Sequence, residues 1–372
     1  MVIQMLLTIT KKCSWKETYI NILDENYTLI RKEKLVFKDK ITTVNFNLNN
    51  DKFYYLSNEK EYKTEIVIIS ENTDEVYLEY NRKKRKYYIY LADKNNYYAE
   101  ALSVILEDDK NLWFRPNKAK KVDFIIPKNY DVNKKYGLLL MFDGQNLFDK
   151  NISGNYTDKN DPYGSWQIDI SMSMLEKKLG KEFIVVGIEH TDILRTNELL
   201  TPKSFGNLKD ESLLDDNEKE GYIDYLDNFI NETVLPYFIN NYSIDLSMIG
   251  IGGSSMGGLG CHYIGLKNLG KYKFILCYTP ASALIEDIAW DKFYKKLDFK
   301  NNITSLPIFY FFQGNSGWLE NMLYTNNQNL ISTLIDNNYP KELIKTYIEH
   351  SANHNEIAWR YAFNYMIYDV LK

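Results

Sequence analysis

Short apolar runs alternate with longer, helix-like segments from about residue 111 to the end of the chain. The apolar runs predict strands that are buried on both faces of a sheet. These predicted strands are 121–127, 136–142, 183–188, 247–252, 274–279, 307–312 and 343–348. In the longer segments apolar positions recur with helical spacing, notably over 222–242, after Ser255, over 319–338 and over 355–371. Alternating strands and helices predict an α/β fold with a mostly parallel sheet covered on both sides.

The first part of the chain has a different pattern. Its apolar runs are short and rich in aromatic and β-branched residues, and polar turns separate them, as in "YKTEIVIIS", "EVYLEYN" and "KYYIYLAD". This pattern is typical of a small β-sandwich. We therefore divide the chain into an N-terminal β-sandwich-like domain, residues 1–110, and an α/β domain, residues 111–372.

Composition and charge exclude several classes of function for this chain. With 45% hydrophobic residues, 26% charged residues and a net charge of -5, the chain is expected to be a soluble acidic protein with a packed core. The basic run at 82–86 is short and isolated, so no nucleic-acid partner is expected. No window is apolar enough to span a membrane, and the first residues lack the features of a signal peptide. Three cysteines give no disulfide framework. We expect a cytoplasmic protein, and composition leaves its oligomeric state open.

Six of the twelve residues in "IGIGGSSMGGLG", Ile249–Gly260, are glycine. The pattern G-x-S-x-G fits this stretch in one register, which places Ser255 at its centre. A predicted strand precedes Ser255 and a predicted helix follows it, which is the context of a nucleophile elbow. The sharp turn would expose the Ser255 hydroxyl, and the helix N-terminus would stabilise negative charge that develops nearby.

A serine hydroxyl needs a base to become a nucleophile. In folds of this type the base follows the last strand, where His350 and His354 both lie. We favour His354 because it immediately precedes the final predicted helix, which would anchor it. His190 is expected to be a capping or surface residue, and His262 a packing residue behind the sheet. A metal site at His350 and His354 is not expected, since no helix spans both and no third ligand is evident.

Several segments together carry a resemblance to a known family. In chain order they are "VDFIIPKNYD" (122–131), "LLLMFDGQNLFD" (138–149), "SWQID" (165–169), "IVVGIEHTDILRTNELLTP" (184–202), "IGGSSMGGLG" (251–260) and "HNEIAW" (354–359). From about Leu112 onward the chain resembles the esterase family of α/β-hydrolases, which includes S-formylglutathione hydrolases, feruloyl and acetylxylan esterases, and enterochelin esterases. The resemblance implies an α/β-hydrolase fold and two-step hydrolysis of a carboxylic ester without a cofactor or a metal.

The resemblance also assigns roles to residues. It implies that Ser255 is the nucleophile and His354 the general base. It further implies an oxyanion hole formed by the main-chain N–H groups of Met256 and Gln145. The resemblance also implies supporting roles for three more residues. Asp143 would orient its loop, and Trp166 and Arg195 would support or line the substrate cleft.

The expected substrate is a small-molecule or oligosaccharide ester. Members of the family with an N-terminal β module often act on bulky esters, including siderophore trilactones and feruloylated sugars. Two alternatives stay open. An acyltransferase would use the same residues with an alcohol as the acceptor, and a non-catalytic binding protein would need no complete triad.

The triad acid is the position at which this chain departs from the family. The acid usually follows the strand that matches 307–312, in a G-x-x-Asp/Glu segment, but here Gly317 stands at that position. We predict that Glu320, the nearest carboxylate, is the acid that orients the histidine. Two other carboxylates remain alternatives: Glu349 and Asp287.

Overall fold

The computed structural model describes most of the chain. The described residues are 4–24, 28–37, 43–49, 53–60, 62–64, 67–68, 75–81, 86–90, 99–107, 119–148, 165–191, 194–349 and 352–372. His350 and most of the basic run at 82–86 lie outside these ranges, so the expectations for them stay predictions.

Two four-stranded sheets form the first part of the chain. Their strands are β1 (Gln4–Lys12), β2 (Thr18–Leu23), β3 (Leu29–Leu35), β4 (Thr43–Asn49), β5 (Phe53–Ser57), β6 (Val67–Ile68), β7 (Glu75–Asn81) and β8 (Lys86–Tyr90). The strand orders are β4-β1-β7-β8 and β3-β2-β5-β6. Leu7 and Ile9 of β1, two residues apart, are fully buried, as expected for a strand with one face in a core. The sequence prediction of small N-terminal sheets is confirmed.

The rest of the chain is built on a large mixed sheet. Its strands are β9 (Ala99–Glu107), β10 (Ala119–Pro127), β11 (Tyr136–Phe142), β12 (Phe183–Ile188), β13 (Ile244–Ser254), β14 (Phe274–Tyr278), β15 (Ile308–Gly314) and β16 (Ile344–Glu349). Their order is β16-β15-β14-β13-β11-β12-β10-β9. The strands from β11 to β16 pair in parallel, whereas β10 is antiparallel to both β9 and β12. The predicted α/β fold with a mostly parallel sheet is confirmed.

Helices cover both faces of this sheet. They are α1 (Ile168–Leu179), α2 (Arg195–Leu199), α3 (Ile223–Phe229), α4 (Leu235–Asn241), α5 (Met256–Lys267), α6 (Asp287–Leu297), α7 (Gly317–Asp336) and α8 (Glu356–Leu371). Leu138 and Leu140 of β11 belong to the core under α3 to α7, and Leu139 and Met141 to the core under α1 and α8. Within the described ranges, no helix has the length and apolarity needed to cross a bilayer.

The structure places one strand differently from the sequence analysis. Residues 99–107 were assigned to the N-terminal domain, but β9 pairs with β10 over the whole length of both strands, from Ala99 opposite Pro127 to Glu107 opposite Ala119. The large sheet therefore begins before residue 111. A β-rich pattern predicts a strand but does not say which sheet the strand joins.

The helix predicted over 222–242 is also modified. A π-helical turn, Ile230–Val234, separates α3 from α4. Pro236 lies in the first turn of α4. Its ring would clash with the carbonyl of Glu232 in a regular α-helix, and it has no N–H to donate. The wider turn before it accommodates both constraints.

Candidate active site

Ser255 forms the sharp turn between β13 and α5. Its backbone has φ 54° and ψ -119°, a conformation that is strained for any residue other than glycine. Three hydrogen bonds hold it there. The Ser255 N–H donates to the Tyr278 carbonyl at 2.9 Å, and the Ser255 carbonyl accepts from Leu259 N–H at 3.0 Å and Ala281 N–H at 2.9 Å. The strand, turn and helix of a nucleophile elbow are therefore all present.

Close backbone packing explains why glycines surround this serine. A Cβ on Gly253 would lie 2.6 Å from the main-chain carbon of Gly257, so β13 and α5 could not approach as they do. A Cβ on Gly257 would lie 3.2 Å from Phe142 Cβ and 3.3 Å from Asp143 Oδ2. These contacts place the turn after β11 directly beside the elbow.

Asp143 and Arg195 fix the turn after β11. Asp143 has a left-handed backbone, with φ 56° and ψ 47°. Arg195 Nε and Nη2 donate to the two carboxylate oxygens of Asp143, each at 2.7 Å. Burial alone would raise the pKa of Asp143, but the Arg195 charge and hydrogen bonds outweigh burial and lower it below its ordinary value. The guanidinium thus holds an ionised carboxylate, and Asp143 in turn holds the loop.

The turn after β11 and the start of α5 each place a main-chain N–H group at the carboxyl edge of the sheet. Gly144–Asn146 form a 3₁₀ turn in which Asn146 N–H donates to the Asp143 carbonyl at 2.9 Å. Across the part of the chain that the structure describes, the N–H groups of Gln145 and Met256 have no hydrogen-bond acceptor. Donors fixed in this way are suited to stabilise an oxygen that becomes negative during a reaction.

The structure brings His354 and Glu320 into contact. His354 Nδ1 lies 3.0 Å from Glu320 Oε1, and the Glu320 side chain is fully buried while that of His354 is 16% exposed. Glu320 lies in the first turn of α7, which begins at Gly317. One alternative acid is engaged elsewhere, since Asp287 pairs with Lys209 at 2.7 Å. Glu349, the other alternative, ends β16.

A line of aromatic rings connects residues 352–355, the histidine loop that carries His354, to the elbow. His354 meets Trp359 edge-on at 5.0 Å, Trp359 lies 5.7 Å from Trp166, and Trp166 lies 4.9 Å from Tyr278, all between ring centroids. Tyr278 is the residue whose carbonyl accepts the Ser255 N–H. Trp166 is only 2% exposed, so it packs between Trp359 and Tyr278 inside the protein and does not line the surface of a cleft.

Ser255 and His354 follow β13 and β16, two strands of the parallel part of the large sheet, and both lie at the carboxyl edge of these strands. No hydrogen bond joins the Ser255 hydroxyl to His354 in the described structure. Catalytic hydrogen bonds are often long before substrate binds, so this separation does not argue against a joint role.

Burial lowers the pKa of the two other described histidines, His262 and His190. His262 is fully buried, its Nε2 lies 2.7 Å from the Tyr294 hydroxyl, and burial lowers its pKa to about 3. Burial also lowers the pKa of His190, which shares a small cavity with Asp143 and Glu198. Both histidines are therefore neutral at physiological pH. Among the described residues, no three His, Cys, Asp or Glu side chains are grouped to bind a metal ion.

Sequence reasoning missed a buried ion pair behind the site. Lys120 Nζ lies 2.8 Å from Glu198 Oε2, with each side chain 1% exposed, and also donates to the Glu189 carbonyl at 2.9 Å. Glu198 belongs to α2, the helix that carries Arg195, so the pair anchors the helix that fixes Asp143. Glu198 lies in the segment 184–202 that carries part of the family resemblance, but no local sequence pattern links it to Lys120.

Comparisons with known proteins give one family and many structures of similar fold. The family model described as "Putative esterase" matches residues 115–369. The BES protein from Bacillus cereus is 16% identical, with a TM-score of 0.52 over 73% of this chain and 94% of that chain. A CE1 ferulic acid esterase from Anaeromyces mucronatus in complex with ferulic acid is 19% identical, with a TM-score of 0.50 over 74% and 92%. At these identities the likeness shows the fold. The curated proteins give no match by sequence.

The packing at Gly253 generates a first prediction. Gly253→Ala should lower the free energy of unfolding by about 1–3 kcal/mol, because the added methyl group meets backbone that cannot move aside. Ser254→Ala, one residue along the same strand, adds no atoms and is the control. Urea unfolding followed by circular dichroism measures both. Equal stability of Gly253→Ala and the wild type would contradict the packing described here.

The Asp143–Arg195 pair generates a second prediction. Asp143→Asn keeps the shape and tolerates the left-handed backbone, but loses the charge, and should cost about 2 kcal/mol of stability at neutral pH. The folded-state pKa of Asp143 is below its unfolded value. Its contribution is therefore complete above about pH 4 and declines as the pH falls through the folded pKa.

The measurement is urea unfolding of the wild type and Asp143→Asn from neutral pH down to about pH 3. The difference in free energy of unfolding between the wild type and Asp143→Asn should become smaller as the pH falls. Asp291→Asn, which removes one partner of the exposed pair with Lys295, is the control and should change stability little. A gap for Asp143→Asn that is constant with pH would show that the charge is not the cause.

Proposed function

The chain belongs to the esterase family of α/β-hydrolases, and from this premise we propose that it hydrolyses carboxylic esters through an acyl-enzyme on Ser255, with His354 as the general base. The observation that carries the proposal is the contact of 3.0 Å between His354 and the buried Glu320. The contact supports Glu320 as the orienting acid, for which the family's motif has only Gly317 in this chain.

In the first step His354 Nε2 accepts the Ser255 hydroxyl proton while Ser255 Oγ bonds to the ester carbonyl carbon. The carbonyl oxygen becomes negatively charged and is stabilised by the N–H groups of Gln145 and Met256. His354 then donates its proton to the leaving alkoxide oxygen, the carbon–oxygen bond of the ester breaks, and the alcohol departs. Water, activated by His354, releases the acid from Ser255 in the second step.

Glu320 gives His354 the orientation and tautomer that these steps require. An ionised carboxylate can only accept hydrogen bonds, so Nδ1 carries the proton and Nε2 keeps the lone pair that receives the serine proton. The same carboxylate stabilises the imidazolium that forms in each step. Placement of Glu320 in the first turn of α7 adds the favourable potential of a helix N-terminus to a negative charge.

The proposed substrate is a bulky ester, such as a siderophore trilactone or a feruloylated sugar. Support comes from the first turn of α7, where Trp318 is 73% exposed beside the buried Glu320. The preceding Gly317 lies against the histidine loop, since a Cβ there would be 3.7 Å from Asn353 Oδ1. An exposed indole at this place offers a flat apolar surface to a ring of the substrate.

Two alternatives use the same site. A binding protein with a degenerate triad has lost its main support, because an acid does contact the histidine. Acyl transfer to an alcohol needs no different residues, and product analysis with added alcohol acceptors separates it from hydrolysis.

The role of Ser255 generates a third prediction. Ser255→Ala should reduce hydrolysis of p-nitrophenyl esters on the order of 10⁴-fold or more and abolish labelling by a fluorophosphonate probe. Ser254→Ala should keep substantial activity, because its side chain is on the strand side of the turn. Retention of wild-type turnover by a folded Ser255→Ala protein would refute the serine-hydrolase proposal.

The role of Glu320 generates a fourth prediction. Glu320→Gln should lower kcat by roughly 10³- to 10⁴-fold, because the amide can donate to Nδ1 and so favour the unproductive tautomer. The matched control is Asp287→Asn, which changes the alternative acid that pairs with Lys209. Steady-state kinetics with one chromogenic ester compare the two. The assignment fails if Glu320→Gln is active and Asp287→Asn is not.

A further inference from the structure

A series of buried polar side chains, joined by hydrogen bonds, extends from Glu320 into the interior of the protein. Gln313 Nε2 donates to Glu320 Oε2 at 2.7 Å, Asn327 Nδ2 donates to Gln313 Oε1 at 2.6 Å, and Ser282 Oγ donates to Asn327 Oδ1. Each of these four side chains is at most 3% exposed. We call Ser282, Asn327 and Gln313 the buried array.

The hydrogen bonds of the array run in one direction. The direction is set at Glu320, because a carboxylate can only accept and therefore takes the Gln313 nitrogen. The Gln313 oxygen then faces the Asn327 nitrogen, and the Asn327 oxygen accepts from the Ser282 hydroxyl. A flipped Gln313 amide would set its oxygen against a carboxylate, which has only acceptors. The array therefore presents a donor, and never an acceptor, to the second oxygen of Glu320.

Both ends of the array meet elements of the candidate site. At one end, the Glu320 oxygen that is not bound by Gln313 faces His354 Nδ1. At the other end, Ser282 follows Ala281, whose N–H donates to the Ser255 carbonyl at 2.9 Å. The array thus connects the main chain of the elbow to the acid that contacts the histidine, along a path inside the protein.

A contribution to the stability of the fold does not by itself explain why these buried side chains are polar. Apolar side chains of the same shape could replace a fully paired set of buried polar groups at little cost. Removing one donor, in contrast, would leave a buried carboxylate oxygen without a partner. The glutamate side chain also has one more rotatable bond than aspartate, so a carboxylate at Glu320 needs a second contact to fix its direction.

We propose that Gln313, held by Asn327 and Ser282, is a positioning residue that keeps the Glu320 carboxylate directed at His354; this rests on the proposed serine-esterase function. Gln313 does not touch the substrate or the reacting atoms. It acts through Glu320, and its contribution is to the rate of the chemical steps and not to substrate binding.

Three variants and one control test this proposal. Gln313→Met removes the donor and keeps the volume, and Ser282→Ala removes only the far end of the array. Gln313→Glu keeps the shape but adds a group that titrates. The control is Asn268→Leu, which removes another amide that donates to a buried carboxylate, that of Asp227 at 2.8 Å, at the far end of α5.

Gln313→Met should lower kcat by about 10- to 100-fold with little change in KM, by analogy with the loss of a hydrogen-bond partner that orients a metal-binding residue. Ser282→Ala should act in the same direction by a smaller factor. Asn268→Leu should leave kcat unchanged per folded molecule. Each kcat is corrected for the folded fraction measured by urea unfolding.

The pH dependence of kcat in Gln313→Glu distinguishes a positioning role of residue 313 from a purely structural one. Among the described contacts of the Glu320 carboxylate, His354 is the titratable partner and Gln313 is uncharged. Two carboxyl groups at this distance share one proton, so the introduced group donates to Glu320 while protonated and repels it once ionised. The pH profile of kcat should therefore become bell-shaped, with a fall at high pH that the wild type lacks.

The proposal is overturned if folded Gln313→Met and Ser282→Ala both keep wild-type kcat, or if Gln313→Glu keeps the wild-type pH profile. If Gln313→Met does not fold, the other two variants decide. Failure of the proposed function has a different signature, since activity would then survive Ser255→Ala. Serine-dependent activity that is indifferent to Gln313 refutes the array alone.

Discussion

The main-chain conformation of Ser255 is the constraint on which the rest of the site depends. A positive φ at a serine costs on the order of 1–3 kcal/mol, and the surrounding structure must impose it. Here the bonds that impose it come from α5, from the end of β14 and from the turn that follows β14. The elbow cannot relax without breaking contacts of the central sheet. The tight approach of α5 to β13, which only glycines allow, follows from the same turn.

Hydrogen-bonded carboxylates then determine how the loops around the elbow are arranged. The residues Asp143, Glu198 and Glu320 are each 5% exposed or less, and the carboxylate of each has a close donor. An unpaired carboxylate in these positions would be very costly, so each pair determines the position of the segment that carries it. Asp143 holds the turn after β11, Glu198 holds the helix that carries Arg195, and Glu320 contacts His354. A site fixed in this way needs little reorganisation during a reaction.

The sequence predicted those features that depend on local pattern. The strand at 136–142 and the strand at 183–188 have the predicted bounds, since continuous apolar runs report burial on both faces. The elbow at Ser255 was predictable because a turn of this kind needs glycines at fixed spacing. Position favoured a contact of Glu320 with His354, because both follow neighbouring parallel strands and such ends meet at one edge of a sheet, but it left Glu349 and Asp287 as alternatives.

Features that depend on partners distant in sequence were not predictable in this way. Periodicity predicts that β9 is a strand but does not identify its neighbour, so its place beside β10 was missed. Lys120 and Glu198 pair across segments that share no local pattern. Gln313 did leave a signal, since it is a polar residue that ends the otherwise apolar run "PIFYFFQG". Its partners Asn327 and Ser282 belong to a helix and a turn that only the folded chain brings together.

The glycine at 317 and the glutamate at 320 are best understood as one feature. A Cβ on Gly314 would lie 2.4 Å from the Ala352 carbonyl oxygen, so the end of β15 lies tight against the histidine loop. The chain then turns into α7 through Gly317, whose φ of 85° disfavours any residue with a side chain. An acid at 317 would carry that strain. Three residues later, in a helical turn, Glu320 has an ordinary backbone, and its longer side chain covers the remaining distance to His354. Gly317 thus permits a start of α7 from which the Glu320 carboxylate reaches His354 Nδ1 at 3.0 Å.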